Sequence, residues 1–436
     1  MNIIYIHSHD TGRYISPYGY PVPTPAIDRF AREGVVFRQA FCANPTCSAS
    51  RAALLTGQWP HSNGMLGLAH RGWKLNDYDR HLAHTLNDAG FSTALCGVQH
   101  VLSHQDTNGS KLEVARKLGY ERCLDAEPGT EGKTLGMIAA DYVHSKPEGP
   151  FFLAFGHHHT HRKFNQAGPE DDPNFIRPPA IFPDTPETRQ DMAEFRASAR
   201  EWDGEVRLVL DAVDEAGLRD DTLIILTTDH GIAFPFMKCN LTDHGIGVLL
   251  VMRGPGGFEG GKVIDALVSH VDVYPTLCEY LGVDPPAKLQ GVSFLPVIRG
   301  ETVSVREEVF AEVNYHASFE PMRAVRTERY KYIRRYDHRE KPVLPNIDAG
   351  YTKSFLLDRG LTEQPRSDEM LFDLVFDPME VNNLADRPGH EETVAEMKEK
   401  LERWMRQTND PLLGGSLDPA PEGKRLDAPD ALNPGG

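Results

Sequence analysis

The chain has 436 residues, 40% hydrophobic, 9% aromatic and 25% charged, a balance that excludes a disordered, collagen-like or coiled-coil protein and leaves room for two or three domains. Against 46 Lys and Arg stand 63 Asp and Glu; the net charge of −17 repels phosphate backbones and anionic lipid and sets aside nucleic acid and membrane surfaces as partners. Six cysteines are too sparse for a disulfide framework or a CxxC metal site, and MNIIYIHSHD turns polar too early for a secretory leader, so a reducing setting is expected for a chain that is either cytoplasmic or written here in mature form.

Residues 2–6 (NIIYI) form an apolar run that ends in a polar cluster, the pattern of a buried parallel strand whose C-terminal edge carries function. Thr24-Pro25 predicts a helix through Arg32, with Thr24 as N-cap, Pro25 in the first turn and Gly34 as the stop. A second helix follows Cys47 and stops at Gly57. Further strands are expected at 92–96, 151–155, 223–227 and 247–251, separated by helical patterns around 82–87, 188–216 and 271–281. This alternation predicts an α/β fold, a parallel sheet covered on both faces. Past residue 304 the texture changes: 323–336 and 369–377 read as antiparallel hairpin strands, and 390–405 as an amphipathic helix with Val394, Met397, Leu401 and Trp404 on one face. The expected organisation is a main domain over 1–304, a smaller sheet-plus-helix subdomain over 305–408 and a tail over 409–436. Ten of the tail's 28 residues are Gly or Pro, which leaves two readings open, a solvated end or an arm across the neighbouring subunit of a homodimer.

Polar clusters follow three of the expected strands: His7-Ser8-His9-Asp10, His157-His158-His159-Thr160-His161 and Thr228-Asp229-His230. One such cluster reads as turn residues. Three on the edge where open α/β sheets bind ligands point to Asp and His around a divalent ion, with further histidines moving protons near neutral pH. In PTCSASRAALLTG (45–57) a cysteine stands at a helix N-terminus with Arg51 one turn on. Helix amides and Arg51 would lower the Cys47 pKa or hold an anion beside it; the alternative is a loop thiol with no role.

These residues resemble the type I sulfatases. Cys47-Ser48-Ala49-Ser50-Arg51 with Leu54-Leu55-Thr56-Gly57 is similar to that family's C-x-P-S-R and L-T-G signature, with Ala49 where its modification motif accepts Ala. NIIYIHSHDTG, TPAIDRFAREGVVFRQAF, TTDHG, VDVYPTL, RTERYKYI and FDPMEVNNLA match in order nearly end to end, and TGQWPHSNGMLGLAHRG is most similar to the heparan N-sulfatase branch and its bacterial relatives. The resemblance implies an alkaline phosphatase-like fold: a large mixed, mostly parallel sheet sandwiched by helices, carrying catalysis, with a smaller C-terminal antiparallel α+β subdomain. It implies that a maturation enzyme converts Cys47 to formylglycine, whose hydrate cleaves a small sulfated substrate beside one divalent metal. One hydroxyl attacks sulfur, and loss of the other's proton expels sulfate. Carried over, Asp10, Asp229, His230 and the modified Cys47 hold the metal, with His9 beside them. Arg51 stabilises the aldehyde hydrate, His161 is the general acid for the leaving group, His100 assists at the second hydroxyl and Lys238 clamps the sulfate. His61, Asn63 and His70 are candidates for the substrate pocket or for loop packing.

The chain departs from the family at two places. His9-Asp10 replaces a pair of aspartates, which removes one carboxylate, weakens the case for calcium, the ion expected first, and strengthens manganese or zinc. Val98 replaces a lysine, and His9 or a histidine of 157–159 is expected in that space. The single carboxylate of the first loop also fits the phosphonate monoester and phosphodiester hydrolases of the same superfamily. Val98 favours a third reading, a degenerate anion-binding protein, against which stand Arg51, Asp229, His230, His161 and Lys238. The sequons at Asn108 and Asn240 carry no weight without a leader, and Cys42, Cys96, Cys123, Cys239 and Cys278 read as core or edge residues.

Overall fold

The computed structural model describes residues 1–415 and 417–435. Eight strands form one sheet: β1 (Asn2–His7), β2 (Val35–Phe37), β3 (Ser92–Gly97), β4 (Arg122–Cys123), β5 (Phe151–Gly156), β6 (Thr222–Thr227), β7 (Leu250–Arg253) and β8 (Lys262–Ile264). Their spatial order is β4-β3-β5-β1-β6-β7-β2-β8, with β7 antiparallel to both neighbours and the other seven running one way. The strand expected at 247–251 therefore lies later and runs against the expected parallel pattern. Residues 228–249, which join β6 to β7, stay at one sheet edge, and antiparallel neighbours need no crossover helix.

The helices that matter here are α1 (Pro25–Glu33), α2 (Cys47–Thr56), α3 (Leu82–Asp88), α4 (Leu135–His144), α5 (Pro186–Glu215), α6 (Val273–Leu281) and α7 (Glu391–Gln407). β1 is apolar at successive positions because both faces are covered. Ile4 and Ile6 join Leu153, Phe155, Ile224 and Trp202 in one core, while Ile3 and Tyr5 join Phe152, Leu223, Leu54 and Tyr274 in the other. α1 starts and stops where expected, but its cap is not Thr24, whose Oγ1 lies 2.8 Å from Ser16 Oγ. The Asp203 carboxylate on α5 accepts the first free amides instead, Ala26 N–H at 3.1 Å and Ile27 N–H at 2.9 Å.

Besides a two-stranded parallel pair, Ala40–Phe41 with Val268–Ser269, the second large sheet is antiparallel, β9 (Glu308–Tyr315), β10 (Phe319–Thr327), β11 (Tyr330–Arg335) and β12 (Glu369–Asp373) in that order. β12 ends before the turn at 374–376, so the strand expected through 377 is shorter. Met397, Leu401 and Trp404 of α7 pack on this sheet, and Trp404 stacks on Phe310 (ring centroids 5.0 Å apart, planes 3° apart) with Trp59 of the main domain edge-on at 5.2 Å. Beside them lies a buried polar knot: Arg323 donates to Asp410 through Nε at 2.5 Å and Nη2 at 2.9 Å, and its Nη2 is 3.3 Å from Glu312 Oε2.

The tail is exposed over much of its length. Its described part lies on its own chain: Lys424 sits over the Trp73 ring at 4.9 Å, Asp427 N–H donates to Ala317 O at 2.8 Å, and Lys353 Nζ donates to Leu432 O at 2.6 Å. Among the described residues no helix is long and apolar enough to cross a membrane.

Candidate active site

β1, β5 and β6 end side by side, with His7 opposite Gly156 and Thr227, so the polar segments that follow share one sheet edge. The approach is close at Gly156, where a Cβ would stand 1.9 Å from Val98 O and 2.8 Å from His7 Nε2. After β1 the chain turns at Asp10, whose φ of 50° is a left-handed conformation that Asp tolerates. Asp229 Oδ1 accepts the Asp10 N–H at 2.8 Å and the His230 N–H at 2.9 Å, which ties the loop after β1 to the loop after β6.

α2 starts at Cys47 and presents its N-terminus, the positive end of the helix, to this junction. All ten of its residues are buried, and Gly57, at φ 61°, ends it. Arg51 lies one turn from Cys47 on the same face. Its Nη2 donates to Ser8 O at 2.8 Å and Asp229 Oδ2 at 3.0 Å, while Nη1 contacts His7 Nδ1. His230 Nε2 stands 3.4 Å from Cys47 Sγ and 3.3 Å from Asp10 Oδ1, and His9 Nδ1 stands 3.2 Å from Asp229 Oδ2. Donor atoms of His9, Asp10, Cys47 and Asp229 all lie within 4.8 Å of one another, a set that fits one divalent ion. Lys238 Nζ bridges Asp10 Oδ2 and Asp348 Oδ2, each at 3.0 Å.

Burial governs the titration of these groups. It pushes the Cys47 thiol well above its usual pKa; Lys238 and Arg51 pull the other way, and Asp10 and Asp229 add to the rise. The expected acidified thiol is thereby corrected: as a cysteine, residue 47 is a protonated thiol, because desolvation outweighs the nearby cations. Burial also works against the Asp229 carboxylate and the Lys238 ammonium. There the partners win: His230, Arg51 and His9 hold Asp229 well below the usual carboxylate range, and Asp10 and Asp348 hold Lys238 above the usual amine range. Burial, then the charge of Arg51, keeps His9 and His100 far below the usual imidazole value, so both are neutral.

Around the His9 ring stand His100 at 5.4 Å, His161 at 5.5 Å and His158 at 5.8 Å, centroid to centroid. His161 Nδ1 donates to Arg162 O, which leaves Nε2 free to carry a proton. His70 stacks on His100, 5.5 Å apart with planes 13° apart, and so belongs to the group. Of the run 157–159 only His158 faces His9; His157 Nδ1 accepts the His159 N–H, and His159 Nε2 turns to Glu201 at 3.2 Å. His61 and Asn63 do not line this site. His61 Nδ1 is bound to Glu312 Oε2 at 2.8 Å in the knot between the sheets, and Asn63 Nδ2 donates to Thr56 Oγ1 and Gln58 O, because the chain beyond Gly57 turns toward β9. Asp348 and His316 were not singled out. Both are loop residues of the second sheet's half of the chain, without a local motif, and only the packing of that half brings them to Lys238. His7, under Arg51, stood in a cluster already noted.

The sulfatase family model matches residues 1–283, and the model of the N-sulphoglucosamine sulphohydrolase C-terminal region matches residues 230–349. The chain is 28% identical to N-sulphoglucosamine sulphohydrolase of Homo sapiens over 89% of its own length and 86% of the relative's. It is 30% identical to an ulvan-active sulfatase of Formosa agariphila over 94% of its length and 80% of the relative's. A crystal structure of a putative sulfatase from Bacteroides thetaiotaomicron superposes with a TM-score of 0.72 at 21% identity, covering 100% of this chain and 98% of the other.

Proposed function

The chain belongs to the sulfatase family, the sulfuric ester hydrolases, and from that premise we propose that it cleaves a sulfate ester or sulfamate of a sulfated sugar, with formylglycine made from Cys47 and one divalent ion. The observation that carries this reading is the meeting of His9, Asp10, Cys47 and Asp229 at the N-terminus of α2. The likeness to the human N-sulphoglucosamine sulphohydrolase over most of both chains favours N-sulfated glucosamine as the substrate class.

Asp10, Asp229, His230 and His9 are the residues that would hold the ion; two carboxylates suit calcium, and two imidazoles suit manganese or zinc. Bound there, the ion would acidify a hydroxyl on residue 47 and offset charge on the sulfate oxygens. The chain's own side chains do the rest. Lys238, kept charged by two carboxylates, offers Nζ to a sulfate oxygen. Arg51, one helical turn from residue 47, braces Asp229 and the Ser8 carbonyl and stabilises the aldehyde hydrate by its charge. His161, with Nδ1 fixed on a carbonyl, delivers the proton from Nε2 to the departing oxygen or nitrogen. Neutral His100, steadied by the His70 ring, accepts the proton of the second hydroxyl on residue 47.

Mass mapping of the peptide around residue 47, with sulfate release from N-sulfoglucosamine and matched aryl sulfate and aryl phosphonate esters, tests the reading. An aldehyde at residue 47 and sulfate release that chelation abolishes are expected. A wholly unmodified thiol from a host with the maturation enzyme, or a preference for the phosphonate, would overturn it.

A further inference from the structure

The segment 417–435 returns across the turn that carries His70 and is fastened there through its backbone. Arg425 N–H donates to Arg71 O at 3.0 Å, Arg71 Nη1 donates to Arg425 O at 3.3 Å, and Lys424 Nζ donates to Gly72 O at 2.5 Å. Of the neighbouring cations, Lys424 is spent on Gly72 O and the Trp73 ring, and the others are committed to carboxylates: Arg71 to Asp427 at 2.9 Å, Lys74 to Asp106 at 2.6 Å, Lys111 to Asp125 at 2.7 Å, and Arg51 and Lys238 inside the site. Arg425 differs from all of them. Its backbone is held from both sides, its side chain is exposed, and among the described residues it makes no ion pair.

From this point the His70, His100 and His9 rings lead inward in steps of 5.5 and 5.4 Å to the Asp10 and Cys47 donors. Arg71, whose backbone carbonyl and guanidinium hold the Arg425 backbone, directly follows His70 in the chain, so Arg425 is anchored one residue from the first ring. Beside the same stack is a cavity of about 460 Å³, lined by His70, His100, Gln99, Ser103 and Gln105 among others, with room for a sugar-sized group.

We infer that Arg425 is a specificity residue: it takes a second anionic group, sulfate or carboxylate, on the sugar adjoining the one that is desulfated. The inference rests on the sulfatase reading above. A planar guanidinium on a fixed backbone matches the paired oxygens of either anion, and an uncompensated cation on a protein of net charge −17 is a local attractor for a polyanionic chain.

Calorimetry on the full chain tests this without turnover, using Cys47→Ala with and without Arg425→Ala. The ligands are N-sulfoglucosamine, and N-sulfoglucosamine linked to a uronate, to an O-sulfated hexose or to a neutral hexose. Arg425→Ala is expected to weaken an anion-bearing disaccharide about tenfold, or ~1.4 kcal/mol, and to leave the monosaccharide and the neutral disaccharide within about twofold. The uronate and O-sulfate arms tell which anion is read, and a loss in either supports the assignment. Equal weakening of all four ligands, no change in any, or no binding of the anionic disaccharides would overturn it. Sulfate release by the wild-type chain is scored separately: its absence beside an intact Arg425 effect on binding would fail the catalytic reading and not this one.

Discussion

Asp348 holds one side of Lys238 while Asp10 holds the other, so the ammonium is suspended between a loop of the second sheet's half of the chain and the loop after β1. Replacing Asp348 by Asn removes one of two balancing charges and lets Lys238 swing toward Asp10, away from where a sulfate oxygen would meet it. Asp348→Asn is expected to lower kcat/KM about tenfold, ~1.4 kcal/mol, on aryl and sugar sulfates alike. That equality separates it from Arg425→Ala, and steady-state kinetics on the two substrate types reads both; an unchanged kcat/KM would remove Asp348 from the site. At this scale the sequence is most readable where a residue belongs to a local motif, even when its contacts are distant. Asp10, Cys47, Arg51, Asp229 and His230 sit at strand ends or one helical turn apart, and the geometry brings them together. His61 and Asn63 take the packing alternative, because nearness in sequence to α2 says nothing about which way the chain leaves Gly57. Asp348 was invisible because it stands in a loop without a motif and only packing brings it to Lys238.

Helix termini show the same limit one level up. The Thr-Pro opening of α1 locates the helix, yet its amides are satisfied by Asp203, a side chain of α5 that no local pattern could nominate. α3 shows the opposite case, a local cap of an unusual kind: His81 Nδ1 accepts the Ala83 N–H at 3.2 Å. Burial, then the charge of His84, pushes the His81 pKa down to about 3. The folded imidazole is therefore neutral, whereas the unfolded chain takes up a proton below about pH 6.5. The unfolded state binds the extra proton, so stability is fully present above that value and is lost at ~1.4 kcal/mol per unit as pH falls toward 3. His81→Asn keeps a good cap acceptor and removes the titration. Urea denaturation at pH 7.5 and pH 5 is expected to show the variant losing ~2 kcal/mol less than wild type between the two conditions. Identical losses would mean that the acid sensitivity lies elsewhere.

Across the whole molecule, two sheets are joined by the Trp59, Phe310 and Trp404 rings and by the knot of His61, Glu312, Arg323 and Asp410. Arg323 is fully buried between two carboxylates, so removing it strands both charges away from water. Arg323→Met is expected to cost about 3–5 kcal/mol, read as a lower urea midpoint, whereas an exposed pair such as Lys341 with Glu363 contributes at most ~1 kcal/mol. A midpoint shift no larger than that of Lys341→Met would show that the knot does not hold the halves together. The alternation of strands and helices and the later change of texture make both sheets legible. The direction of β7 and the path of the tail are not, since the first depends on how 228–249 closes and the second on Arg71 and Trp73, which are distant in sequence.

The burial of Cys47, at 1% exposure, also sets an order of events in time. Once α2 has docked against the loops after β1 and β6, an enzyme that alters this side chain cannot reach it. The wall over the thiol is incomplete until Asp229 and His230 have been synthesised, which at 5–20 residues per second comes about 10–40 s after residue 47 itself. On the proposed reading, conversion of the thiol comes before that wall closes, while the sheet still lacks β6, the neighbour of β1.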